Sequence, residues 1–590
     1  MRWIGRVLMA IPLVTIVMTR APGETAIELR RAQLSAALRQ EWEYQLQVHP
    51  EMATYIGDNR FNDRVSDHSA RFYAEDLEHA KQTLRNIETI DTGGFPEQEQ
   101  LNKILMVRSL RERIESSRFK DWEMPVDQMN GVHLSYATLP SITPFRSVKD
   151  YQDYLSRLHQ IPRIFEQIVA DLKLGLHDGL IPPRYLLEKV ALQAQDIADK
   201  SPRDSPFTQP VFKFPAGISE AEQKRLHDAI LAAVKNEVAP AYASFASFVR
   251  TQYAPRGRTE YGIWALPEGD ARYQFDIRRM TTTDLSPEDI HQLGLKQVAE
   301  IETEMLALAR RQGFRDLASF NQHIRNDPHL YAGSGQQLLG LYQHYTDQMY
   351  AKLPQLFSHL PKNKLEVIPM ESFRAPNEVP ADYSPGAGDG SRPGRINVNQ
   401  YDPQHRLLLN VEAIAYHEGI PGHHLQFSIA QELPTLPPFR RFASYDAYSE
   451  GWAFYAERLG KEAGFYQDPY SEYGRLENEM WRSVRLVVDT GVHYKHWSRQ
   501  QMVDFFRQHT AMDEPNIQTE VDRYIAWPGQ ALAYKLGQMR IVELRQRARD
   551  ALGDKFDLRA FHDAVLADGP LPLEVLETRI NAWISSQKCY

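Results

Sequence analysis

Apolar residues recur at three- and four-residue intervals along most of the chain, the spacing of one buried face of an α-helix. The stretch Ala32-Gln-Leu-Ser-Ala-Ala-Leu-Arg-Gln-Glu-Trp-Glu-Tyr-Gln-Leu46 shows the pattern. It predicts helix across residues 24–86, interrupted at Pro50 and at the polar loop 57–63. Further helices are predicted over 101–116 and 151–177, the second with Ser147 as N-cap. Ile181-Pro-Pro183 breaks the chain, and another helix starts near Arg184. After the proline-rich loop 201–215, Ser219 and Glu222 make a capping box that opens a long helix reaching about Tyr253. Ser286, with Pro287 at the first helical position, opens one that runs to Arg311.

The texture changes between Lys364 and Gln400. Residues 365–370 and 394–399 alternate β-branched and polar side chains and read as strands. The glycine- and proline-rich segment 383–394 between them reads as a surface loop. Two uses fit such a sheet: an exposed edge that holds an extended peptide by its main chain, or a plain hairpin decorating a helical body. Helices resume after Asn399 and continue to the end, with no internal repeat. The fold class is mainly α, with a small β element just before the stretch that carries the chemistry.

Composition narrows the function. At 590 residues the chain is too long for one simple core, so it forms either one large helical body or two lobes with a boundary near 255–285. Its 42% hydrophobic and 25% charged residues are ordinary for a soluble globular protein. A net charge of −9 and the lack of a basic run argue against nucleic acid as a partner. The single cysteine, Cys589, excludes an intrachain disulfide and a cysteine metal cluster. Any metal site must be built from His, Asp and Glu, with zinc the first choice.

Met1 to Arg6 is basic, and residues 7–18 form an apolar run too short to span a membrane comfortably. Residues 1–21 therefore read as a signal peptide, with 22–590 the exported protein, periplasmic or secreted. No cysteine follows the apolar run, so a lipoprotein anchor is expected to be excluded. Only an uncleaved signal would leave the protein attached to a membrane.

The chemistry is concentrated in Ala415-Tyr-His-Glu-Gly-Ile-Pro-Gly-His-His-Leu425. His417, His423, His424 and Glu418 fall within eight residues. A histidine with a glutamate beside it and a further histidine nearby suits a zinc hydrolase, in which imidazoles hold the metal and the carboxylate takes a proton from water. Pro421 occupies the position where a His-Glu-x-x-His motif has its second histidine. Two chain paths remain open. A bulged continuous helix favours His424 at i+7, whereas a break after Gly419 with a second helix from Pro421 lets His423 swing in. The third ligand expected is Glu450, near the start of the next helix, with Gly451 beside it to admit a close backbone.

His417-Glu418-Gly-Ile-Pro-Gly-His-His424 together with Glu450-Gly-Trp-Ala453 resembles the bacterial DUF885 proteins. The likeness continues through Asp489-Thr-Gly-Val-His493 and Pro528-Gly-Gln-Ala-Leu-Ala-Tyr534. More distantly, the arrangement is similar to helical gluzincin zinc peptidases of the angiotensin-converting enzyme and carboxypeptidase Taq type. That resemblance implies a large helical body with a central cleft. It also implies zinc held by His417, by His423 or His424, and by Glu450, with Glu418 as general base. Arg523 to Gln530 resembles the gluzincin segment carrying an oxyanion-stabilising tyrosine, which implies that role for Tyr524, with Tyr534 and His493 in reserve. Asp489 and His493 make an i, i+4 pair. Arg482, Arg485, Arg523 and Lys535 are candidates for binding a substrate carboxylate. The expected function is an exported zinc-dependent metallopeptidase cleaving short peptides. The alternatives are an envelope binding protein without turnover and a zinc hydrolase of another amide or ester.

Overall fold

The computed structural model describes residues 26–588 apart from 373, 376 and 377. The expected signal peptide (1–21) and Cys589 lie outside the described residues. The protein is mainly α-helical, with one small sheet. Among the described residues no helix is long and apolar enough to cross a membrane.

The helix starts follow their capping chemistry. Ser147 caps Val148–Asp178 with a complete capping box, and Ser286 caps Pro287–Arg311 by accepting from the Asp289 amide. The long helix expected after Ser219 is not regular. It runs as Glu220–Ala233, a π-turn Val234–Val238, a helix Ala239–Phe248 and a second π-turn Val249–Tyr253. Pro240 and Pro255 each lack an N–H and crowd the carbonyl four residues back, and that carbonyl falls inside a π-turn in both cases.

Of the two readings of the sheet, the plain hairpin is not what forms. Strands β1 (Leu365–Pro369) and β3 (Gly394–Val398) are parallel, and β2 (Ala381–Ser384) pairs antiparallel on the other side of β3. The expected loop 383–394 therefore begins inside a strand. Ala-Asp-Tyr-Ser is too short to show alternation, and its pairing comes from the neighbour rather than from its own sequence. Ile396 and Val398 are fully buried against Val411, Ile414 and Ala415, so the sheet is the platform on which the His417 helix (Val411–Glu418) lies.

Two helices buried on nearly every face form the centre. The Glu450 helix (Asp446–Glu462) packs most extensively on Ala533–Leu552, and the arginine helix (Pro469–His493) on Pro287–Arg311. A helix surrounded in this way reads as apolar or small on all sides, except where polar groups find buried partners. The first crossing is glycine on glycine. A Cβ at Gly451 would lie 2.5 Å from Gly537 Cα, and one at Gly537 would lie 1.8 Å from the Ala447 carbonyl oxygen. Backbone contact at this point sets how deeply Glu450 enters the core.

Gly537→Ala is expected to destabilise the protein by about 1–3 kcal/mol, the usual cost of overpacking, because the obstacle is backbone. A lowered denaturation midpoint with unchanged m-value is the expected reading; an unchanged midpoint would contradict the close crossing.

Candidate metal centre

The helix is interrupted between His417 and His423. The His417 helix ends at Glu418, and a second helix, His423–Glu432, begins after Gly422. Of the two chain paths, the broken one is observed, with the second helix starting two residues later than expected. The Gly422 amide donates to the Tyr416 carbonyl at 3.0 Å and the His424 amide to the Gly419 carbonyl at 2.9 Å, closing a compact turn. Only glycine fits at 422, since a Cβ there would lie 2.0 Å from the His417 carbonyl oxygen. The Ile420–Pro421 peptide is cis. The Pro421 carbonyl, left without a helical partner, accepts from the Trp452 indole N–H at 2.8 Å.

This turn brings His423 back to His417. Glu450 Oε2 lies 3.4 Å from His417 Nε2 and 3.5 Å from His423 Nε2, and one ligand atom from each residue fits within 4.8 Å of the others. Glu450 Oε2 and His423 Nδ1 are buried without a hydrogen-bond partner. Burial acts against ionisation of Glu450, but His423 and His417 outweigh it and hold the carboxyl well below its usual range. Burial likewise acts against a charged His417, and Glu450 and Glu457 reverse that effect. Glu418 sits with its carboxylate 4.0 Å from His417 Nε2. Its pKa is raised to about 8, first by burial and then by the Glu450 charge, against the pull of His423. Two imidazoles and a carboxylate converging on one point, with an orphaned buried oxygen among them, suit zinc in donor type and number.

Behind His417 stands a residue not anticipated from the sequence. Glu457 Oε1 lies 2.8 Å from His417 Nδ1, and Glu457 Oε2 accepts from Asn478 at 3.1 Å. Glu457 follows Glu450 by seven residues, two helical turns, and so faces the same way. That spacing was the available signal.

The remaining expected site residues lie elsewhere. His424 points away from the cluster: its Nε2 donates to the Asn363 carbonyl at 3.1 Å and its Nδ1 meets the Tyr383 hydroxyl at 3.1 Å. Burial lowers its pKa to about 4. Tyr524, in the helix Glu514–Ala526, is also outside the cluster. Its hydroxyl accepts from Arg485 Nε at 2.8 Å and Trp481 Nε1 at 3.0 Å and donates to Glu520, so no hydrogen remains for another acceptor. Tyr534 is the tyrosine beside the site. Its ring stacks on His417 with centroids 6.5 Å apart, and its oxygen accepts from Arg523 at 2.9 Å. Asp489 and His493 do not pair with each other. Asp489 accepts from Tyr273 at 2.6 Å and from the Gly529 amide at 3.2 Å, whereas His493 bridges the Ile263 amide and the Tyr524 carbonyl.

A small cleft of about 90 Å³ runs past Tyr342, Val379 and Pro380 to Asn478, Trp481 and Glu520. It adjoins the cluster through Asn478 rather than being lined by the three converging residues.

The family described as "Bacterial protein of unknown function (DUF885)" matches residues 50–580. The chain belongs to the DUF885 family. The crystal structure of the "putative lipoprotein from Colwellia psychrerythraea" superposes with a TM-score of 0.90 at 29% identity, over 94% of this chain and 99% of that one. A "putative lipoprotein of unknown function" from Shewanella oneidensis shares the fold with a TM-score of 0.70 at 18% identity, over 93% of this chain and 99% of that one. No curated protein matches. The DUF885 fold thus accounts for nearly the whole chain.

Two measurements check these assignments. Tyr524→Phe is expected to lower stability by about 1–3 kcal/mol, since it strips an acceptor from buried Arg485 and Trp481. Asp489, whose pKa burial raises from 3.8 to about 7, gives a pH test. Its folded value lies above the unfolded one, so its contribution is intact below pH about 4 and is lost as pH rises to about 7, by up to roughly 4 kcal/mol. The stability difference between wild type and Asp489→Asn should shrink over that window; a constant difference would contradict the shift.

Proposed function

We propose that the protein is an exported zinc-dependent peptidase acting on short peptides. The observation that carries this reading is the convergence of His417, His423 and Glu450 at one point beside Glu418, with Glu450 Oε2 buried and facing the two imidazoles without a well-formed hydrogen bond. Three protein ligands leave a fourth position for water or substrate, the pattern of a catalytic rather than a structural zinc site. Bound zinc would supply a Lewis acid for the peptide carbonyl and make a water at the site more acidic. Glu418 takes the proton from that water and passes it to the leaving amine. Glu457 accepts from His417 Nδ1–H and so turns the Nε2 lone pair towards Glu450 and the ligand position. Tyr534 accepts from Arg523, which leaves its own hydroxyl hydrogen for charge developing on the substrate oxygen. In this reading Tyr534 takes the role first assigned to Tyr524.

The donor set and the glutamate from the following helix support the likeness to helical gluzincins, although more residues separate the two histidines here. Strand β2 is an edge strand whose Tyr383 ring lies 6.3 Å from that of His423, a position suited to holding an extended peptide by its main chain. Envelope location is supported by the expected signal and by the description of the Colwellia psychrerythraea structure as a "putative lipoprotein".

Purified protein is expected to carry about one zinc and to cleave members of a short-peptide library, with cleavage lost and zinc kept in Glu418→Gln. Wild type with neither zinc nor cleavage would sink the proposal, and zinc with cleavage only of other amides would redirect it. Zinc retention assigns the ligands. His423→Ala should lose the metal and His424→Ala keep it, while Glu457→Gln should weaken binding roughly 10- to 100-fold.

A further inference from the structure

The arginine helix carries more buried positive charge beside the site than its neighbours neutralise. Arg482 and Arg485 are 5% and 1% exposed, and Arg523 is largely buried beside them. Among the described residues, the carboxylates within 4 Å of these three guanidinium groups belong to Glu457 and Glu520 alone. Each guanidinium also keeps a buried nitrogen without a hydrogen-bond partner: Nε and Nη1 of Arg482, Nη1 of Arg485 and Nε of Arg523. The other cation considered from the sequence is accounted for, since Lys535 meets Glu479 and Gln538 at 3.0 Å each.

Arg482 is the least satisfied of the three. Among the described residues the one carboxylate within 4 Å of it is that of Glu457, 3.8 Å from Nη2, too far for a hydrogen bond. The guanidinium lies on the Trp481 ring, 4.2 Å from its centroid, and Arg485 lies on the same ring at 4.5 Å. Burial without full pairing lowers the Arg482 pKa. A buried charge left in this state costs several kcal/mol unless something completes it. The position indicates what does so. Glu457, the neighbour of Arg482, also holds His417, and the Tyr534 ring lies between His417 and Arg485, 4.3 Å from the latter. The cleft is lined by Asn478 and Trp481, the first bonded to Glu457 and the second stacked under Arg482, so one layer of side chains separates it from this guanidinium.

We propose that Arg482, backed by Arg485 on the shared Trp481 face, receives a carboxylate of the substrate next to the metal centre. A planar guanidinium with free N–H groups matches a carboxylate in shape and charge, and the missing negative charge is then supplied only when substrate is bound. The proposal rests on the peptide-hydrolase reading and narrows it to peptides that place a carboxylate close to the scissile bond. That carboxylate comes either from the chain terminus or from an acidic side chain.

The test is binding, which does not require turnover. Zinc-loaded full-length Glu418→Gln protein is titrated calorimetrically with three short peptides: one with a free C-terminus, its C-terminal amide, and an amide carrying glutamate at the last position. The free acid, the glutamate amide or both are expected to bind at least about tenfold more tightly than the plain amide. Which of them does so identifies the source of the carboxylate. Adding Arg482→Gln should abolish the preference while zinc content and melting temperature stay near those of the parent, and Arg482→Lys should restore part of it. Equal binding of all three peptides, or a preference that survives Arg482→Gln, overturns the proposal. If Arg482→Gln does not fold, the parent's comparison of acid with amide decides alone. Discrimination without any hydrolysis by wild type would leave this site standing and remove the peptidase reading; hydrolysis without discrimination would do the reverse.

Discussion

The candidate centre depends on a break in the helix over four residues. Gly419-Ile-Pro-Gly422 cannot continue a helix, and the backbone hydrogen bonds it gives up are recovered locally or from Trp452. Without that turn, His417 and His423 would point to different sides of a helix, since six residues advance the direction by far more than one full turn and well short of two. With it, two histidines from separate short helices meet a glutamate from a third. The indole that satisfies the turn sits two residues after Glu450, so one helix both secures the turn and provides the carboxylate that faces it.

The local structure was largely legible in the sequence. Capping serines at 147, 219 and 286 mark real helix starts, because a cap is a short-range interaction and its signal lies within four residues. The two longer strands are also where their alternation puts them. The pairing of those strands is a long-range outcome. Nothing in residues 365–398 distinguishes a hairpin from a parallel pair with β2 joined on the far side of β3. The same division holds at the site. His417, Glu418 and Glu450 are recognisable from residue type and spacing, whereas the choice between His423 and His424 depends on how four residues bend. Tyr524 shows the limit most clearly, since a tyrosine in the right segment proved to have its hydroxyl fully engaged by Arg485, Trp481 and Glu520.

Buried charge is the other theme of the molecule. The arginine helix has Arg475, Arg482, Arg485 and Asp489 at its buried positions, a composition that would suit a surface helix. Most of these groups are paired: Arg475 with Glu472 and Glu479, Arg485 with Glu520, Asp489 with Tyr273. Paired charge in a core is seldom a net gain over apolar packing, but it fixes orientations that apolar side chains leave free. Here it fixes Tyr524, frames Tyr534 and holds Asn478 and Glu457 behind His417.

The contact between Gly451 and Gly537 joins two helices that both serve the site. Glu450 precedes one glycine, and Tyr534 lies three residues before the other. Backbones in direct contact leave no side chain between them to compress or to change rotamer. A displacement of either helix is therefore transmitted to the other undamped, and Glu450 and Tyr534 behave as two points on one stiff bracket. The spacing between the two backbones that carry the carboxylate and the phenol is set by main chain at this crossing, which makes it insensitive to most substitutions elsewhere in the core and open to change by a side chain at either glycine.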